Sequence, residues 1–154
     1  MSVRMTLTSP NLEAVAARYN DAPGIVERES HLAMEKSVFY LEGQVKRLTP
    51  VVTGTLRRSV QGRSTTMGPV VLGLVFSPQN YAAVVERGAR PRTIVPRRKK
   101  ALSWPGANHP VRSVNWPGFR GRFMFQRGLA KSRPQINQFF DDALHNVGVY
   151  IDGA

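Results

Sequence analysis

Between residues 43 and 140 this chain carries a single acid, Glu86, among 18 lysines and arginines. General acid–base catalysis on paired carboxylates needs two acids at one site, so the middle of the chain cannot perform it without recruiting the termini. There is no cysteine, which removes thiol nucleophiles, iron–sulfur clusters, thiolate zinc sites and disulfide scaffolds. The three histidines, at 31, 109 and 145, are too scattered to read as an imidazole cage, and His31 reads as a boundary residue of a helix. No Ser–His–acid set can be assembled. Gly54-Thr55-Leu56-Arg57-Arg58-Ser59 superficially resembles a phosphate-gripping loop. A P-loop, however, ends in Gly-Lys-Ser/Thr and opens a helix, whereas a strand is expected here over 56–63. The reading is of a chain that is not an enzyme, with no catalytic residues, cofactor or metal.

What the residues offer instead is binding. Arg57, Arg58, Arg90, Arg92, Arg97, Arg98, Lys99, Lys100 and Arg120, interleaved with Trp104, Trp116 and Phe119, form the mix of arginine and aromatic side chains enriched at protein interfaces. The same mix suits base stacking on nucleic acid, and the interface reading is preferred of the two. The charge is unevenly placed. The 154 residues carry a formal net charge of +12. Residues 1–42 sum to −2, residues 141–154 to −3, and everything between to +17. A basic middle between acidic ends suits head-to-tail contact between identical chains.

Several elements must position these residues. Met34, Val38, Leu41, Val45 and Leu48 step by four and three along one apolar seam, which predicts an amphipathic helix over 25–48. Upstream, a short helix over 11–19 is expected to break at Asp21-Ala22-Pro23-Gly24. Two strands are expected at 56–63 and 69–76, joined by a loop. In the second, Val70, Leu72, Leu74 and Phe76 form one face and Val71 and Val75 the other. A strand apolar on both faces must be covered on both, by its own domain or by a neighbouring subunit. A short helix or strand over 81–87 stops at Gly88. Residues 87–122 hold ten bases, no acid, five prolines and four glycines, so only short strands fit, at 93–95, 101–104 and 112–114. Ser132-Arg133-Pro134-Gln135 reads as the start of a last helix, with Ile136, Phe140, Ala143, Val147 and Tyr150 as its seam. No stretch reads as a signal peptide or a membrane span. The chain is read as one domain: an N-terminal arm (1–24), a helix-plus-hairpin core (25–86), a basic Pro/Gly-rich loop (87–122) and a C-terminal helical region (123–151).

Three sequence blocks, in order, resemble a known family. Thr49-Pro50-Val51-Val52-Thr53-Gly54-Thr55-Leu56-Arg57-Arg58-Ser59 follows the long helix. Tyr81-Ala82-Ala83-Val84-Val85-Glu86-Arg87-Gly88-Ala89-Arg90-Pro91 follows the hairpin, with Ile94-Val95-Pro96 and Lys100-Ala101-Leu102 after it. Trp116-Pro117-Gly118 and Phe123-Met124-Phe125 precede the last helix. Over about residues 25–147 the pattern is similar to that of tailed-bacteriophage neck and tail-completion proteins of the lambdoid gene-ten-product type. Val52, Ala89 and Trp116 stand where that pattern has Asp, Thr and His. The resemblance implies an α+β fold, with a long amphipathic helix and a C-terminal helix packed on a small, mostly antiparallel sheet, plus a long basic loop. It implies a virion protein of the head–tail neck, assembled in the host cytoplasm. Identical subunits would form a ring there, between head-closure or connector proteins and tail proteins, around the path of double-stranded DNA. Gly54, Glu86, Gly88, Pro117 and Gly118 are then structural residues. Glu86 is expected to anchor the basic loop through Arg57, Arg58 or Arg90. The alternative is a nucleic-acid-binding module using the basic surface of residues 87–133.

Overall fold

The computed structural model describes residues 12–152 except 69, 98 and 99, with side chains from residue 16 onward. Its frame is a pair of antiparallel helices, α1 (Leu12–Leu48) and α4 (Met124–Asp152). The predicted seams face the interior: Val38, Val45 and Ala143 are buried, and Met34, Leu41, Phe140, Val147 and Tyr150 are half-buried, with Met34 and Val38 turned to the hairpin and Val45 to α4. Gly128 lets α4 approach Val45, since a Cβ there would come within 2.8 Å of a Val45 methyl. Further along, the rings of Tyr40 and Phe139 meet edge to face at 6.1 Å.

Both helices are longer than their prolines predict. The expected break at Pro23 does not occur, and the residues assigned to an N-terminal arm are helical from residue 12, with 1–11 outside the described residues. Likewise Pro134 lies ten residues inside α4 rather than in its first turn. A proline removes one N–H, leaving the carbonyl four residues upstream without its helical partner. Those carbonyls belong to Tyr19 and Ala130, both exposed residues that water can reach, so each break costs little and the seam prevails. Ser132, expected as an N-cap, is instead buried inside the helix, and its hydroxyl donates to the Gly128 carbonyl at 2.8 Å.

After α1, Gly54 adopts a left-handed φ of +78° and turns the chain into a single helical turn, α2 (Thr55–Ser59). This corrects the strand expected at 56–63: Leu56 is buried by a helical turn, and the strand begins later. The hairpin pairs β1 (Gln61–Met67) with β2 (Val70–Phe76), from Gln61 opposite Phe76 to Met67 opposite Val70. Its inner face carries Gly62 and Gly73, so that the strands can lie against Met34 and Val38 of α1. The Gly62 N–H donates to the Glu42 carboxylate at 2.8 Å, which fixes the register of hairpin on helix. The core is the junction where Val45, Leu56, Val60, Ala82 and Met124 meet, with Leu41, Leu48, Val75, Val85 and Phe125 packed around them. The fold is α+β, with every strand pairing antiparallel among the described residues. No helix among them is long and apolar enough to cross a membrane.

Candidate interaction surface

The basic stretch leaves the core through α3 (Ala82–Arg87), which ends at Gly88 with φ +83°. It returns into the start of α4. Between these points the chain is a ribbon rather than a loop. β3 (Gly88–Ala89) pairs with β6 (Phe119–Arg120), and β4 (Arg92–Ile94) pairs with β5 (Val114–Trp116). The two pairings keep one register: Gly88 faces Arg120, Ala89 faces Phe119, Arg92 faces Trp116 and Ile94 faces Val114. They are thus one antiparallel ribbon interrupted at Pro91 and Pro117, neither of which has an N–H to give to the ladder. Beyond β4 the ladder resumes at one bridge, Leu102 with Val111. Seven residues, 95–101, separate these pairings on the outgoing strand and two, 112–113, on the returning one. The extra length contains Arg97 and Lys100, both exposed. Arg98 and Lys99 lie outside the described residues.

Three features clamp the ribbon at its base. Backbone approach is very close there: a Cβ on Gly88 would lie 2.5 Å from the Gly121 nitrogen, and one on Gly118 would strike the Ala89 carbonyl. Gly118 also has φ +72°, a conformation in which other residues are strained. Second, the Arg122 and Phe123 N–H groups donate to the Val85 and Glu86 carbonyls at 2.9 and 3.0 Å. Third, the Glu86 carboxylate accepts from the Phe125 N–H at 3.1 Å and the Gln126 N–H at 3.1 Å. Those are orphan donors of the first turn of α4. Phe123, next to that turn with φ +52°, has no side-chain oxygen to cap it, and Glu86 does so from another element. A carboxylate there also meets the positive end of the helix dipole.

Glu86 therefore caps α4, and its partners are backbone amides of that helix rather than Arg57, Arg58 or Arg90. The reason is geometric: the helix start lies directly beside α3, while the arginines point outward. Arg57 has a different role, its guanidinium donating to the Thr49 carbonyl at the end of α1 at 3.2 Å. Arg58 is exposed beside Gly54.

Along the ribbon, Arg92 stacks on Trp116 at 5.3 Å from the ring centroid, and Trp116 meets Phe119 edge to face at 6.0 Å. On the opposite face the Thr93 hydroxyl donates to the Asn115 side-chain carbonyl at 2.9 Å. Trp104 is half-exposed in the turn at the tip, where its carbonyl accepts from the Ala107 N–H. Arg90, Arg92, Arg97, Lys100, Arg112, Arg120 and Arg122 are all exposed. Among the described residues the ion pairs are Arg28–Glu29, His31–Glu35 and Lys46–Glu42, all within α1. The ribbon's described cations therefore have no internal counter-charge.

The structure brings together Arg92, Trp116 and Phe119 from the predicted set, and Glu86, Gly88, Pro117 and Gly118 at the ribbon base. It does not join Arg57 and Arg58 to them, since these lie on α2. Gly121 escaped the sequence reading although its backbone abuts Glu86 and Arg87; nothing in its local sequence signals that contact. No group of three or more His, Asp or Glu that could hold a metal occurs among the described residues. Comparison with known protein families, curated proteins and solved structures finds no match.

Proposed function

We propose that this chain is a structural subunit of a phage head–tail junction, a neck or tail-completion ring that links connector to tail around the DNA path. One observation carries the reading: a ribbon clamped to the core at its base, standing off from both long helices, with its described cations unpaired. Such an arm presents solvated charge that a partner of opposite sign can pair with, either a neighbouring copy or the next ring. The acidic ends of the same chain supply the complementary sign, and the sequence resemblance points to the same class of assembly.

Native mass spectrometry across a concentration series tests this, together with localisation of the chain in assembled particles. Ring-sized oligomers are the expected result; a chain that stays monomeric at every concentration and is missing from particles overturns it. The second reading, a nucleic-acid-binding module, takes its support from the Arg92–Trp116–Phe119 platform, a surface on which bases can stack. It requires DNA affinity that falls steeply with salt as counterions are released. Undetectable or salt-insensitive binding leaves the assembly reading standing alone.

A further inference from the structure

Two apolar surfaces of this chain have no partner among the described residues, and they differ in kind. The first is the outer face of the hairpin. Val71, Gly73 and Val75 point toward α1, so Val70, Leu72 and Leu74 point away, with Leu74 60% and Leu72 46% exposed. Met67 adds to this face across the ladder from Val70. Its one charged side chain is Arg63, whose guanidinium lies 5.6 Å from the Phe76 ring centroid.

The second is the far end of α1. Asn146 of α4 hydrogen-bonds Glu29 at 3.0 Å, and α4 runs only six residues further, to Asp152. At 1.5 Å per residue this carries α4 to about the level of Pro23. The hairpin tip stops at the same height, where Thr66, Gly68 and Val71 face Pro23, Val26, Glu27 and Ser30 across a cleft of about 420 Å³. Beyond it α1 continues to Leu12, roughly 16 Å further, with no other described element alongside. An apolar flank runs on past its partners: Tyr19, on the free end, is 61% exposed, and Val26, at the cleft, is 42% exposed. A lone three-turn helix is marginal in water unless its apolar flank is covered.

We infer that the free end of α1 from one copy lies on the outer face of the β1–β2 hairpin of the next copy. The hairpin would then be sandwiched between two helices, as a strand apolar on both faces requires. The free end, about 16 Å long over residues 12–22, covers roughly two thirds of a seven-residue strand of about 23 Å. The charges are compatible, since residues 12–22 carry two acids, Glu13 and Asp21, and one base, Arg18, opposite the lone Arg63. The same copy cannot supply the helix end. Its α1 is continuous and already lies on the inner face of the hairpin, so it cannot turn back to the outer one. Donor and acceptor are different surfaces, which makes the contact head-to-tail and able to close a ring. This inference rests on the ring reading and names its interface.

The chain has no cysteine, so single cysteines report cleanly. Tyr19→Cys and Leu72→Cys chains are mixed and treated with a short bis-maleimide. The expected result is a concentration-dependent Tyr19→Cys to Leu72→Cys cross-link, at least about tenfold above a Tyr19→Cys to Leu144→Cys control on exposed α4. A Leu72→Asp, Leu74→Asp double variant is expected to associate roughly 10- to 100-fold more weakly, with its helical circular dichroism unchanged. Oligomers that form without the cross-link overturn this interface and leave the ring reading intact. A chain monomeric throughout overturns both. Shielding of Leu72→Cys from maleimide in the dilute monomer would mean that the chain's own residues 1–11 cover the face, and also overturns it.

Discussion

The molecule contains two antiparallel two-stranded ribbons of similar length, and they are stabilised in opposite ways. The hairpin of β1 and β2 lies along α1 for its whole length, with glycines at 62 and 73 bringing it into contact with Met34 and Val38. It has one charged residue in fourteen. The ribbon of residues 88–120 is joined to the body at its root, where Gly88 and Gly118 let its two strands close on each other, Gly121 meets the Glu86 and Arg87 backbone and Glu86 caps α4. An isolated two-stranded ribbon is marginally stable in water. One of the two is therefore held by side-chain packing against a helix, the other by backbone locks at a single end, which leaves its far part free to carry charge.

The same substitution should separate these two modes. In Gly121→Ala the new methyl meets the Glu86 carbonyl and the Arg87 backbone, which cannot move aside without opening the ribbon root. A loss of about 3 kcal/mol is expected, with hydrogen-exchange protection lost first across 88–123. Gly73→Ala places its methyl 2.6 Å from the Met34 sulfur and a Val38 methyl, side-chain atoms that can adjust. Its cost is expected to be about 1–2 kcal/mol in chemical denaturation, with the ribbon unaffected. Equal costs, or the reverse order, would break the distinction between backbone lock and side-chain packing.

Glu86→Ala removes acceptors from two amides of the first turn of α4 and is expected to cost about 1–2 kcal/mol. Hydrogen exchange should quicken at the root of the ribbon and the start of α4, leaving the hairpin protected. Unchanged exchange at Phe125 and Gln126 would refute the capping role. Arg97→Ala should change stability by less than about 0.5 kcal/mol, as exposed residues without a counter-charge do, and Arg92→Ala by about 0.5–1 kcal/mol through loss of its stack on Trp116. Their effect should appear in the salt dependence of partner binding, which locates the ribbon's purpose outside its own fold.

The smallest effect lies at the α1–α4 contact. The Asn146 amide donates to Glu29, and this hydrogen bond holds the Glu29 carboxyl below its ordinary range; desolvation opposes it and Arg28 assists. A carboxyl with a lowered folded pKa stabilises above its unfolded pKa, and that contribution is lost as pH falls through the folded value. Asn146→Ala should raise the Glu29 midpoint toward the ordinary value and flatten this part of the acid limb. Carboxyl titration by NMR reads it directly.

Much of the core was legible beforehand because helical periodicity is a local signal. Met34 to Leu48 and Ile136 to Tyr150 mark their faces without reference to anything distant. Proline was misread at 23 and 134, since its cost depends on whether water reaches the freed carbonyl, and that depends on neighbours. The strand expected at 56 became a helical turn because Leu56 buries better on the core from α2. Within the candidate surface, the charge and the aromatic residues were visible by type. The ribbon register, the Arg92–Trp116 stack and the Glu86 cap were not.

Sequence alone determined the two long helices, the hairpin strand apolar on both sides and the segregation of positive charge into residues 43–140. Each follows from composition or from spacing over a few residues. Tertiary structure alone decided which hairpin face stays open, how far α1 outruns its partners and what Glu86 does. Glu86 meets its amides 39 and 40 residues away, and a contact between groups so distant in the chain leaves no periodic trace in either segment.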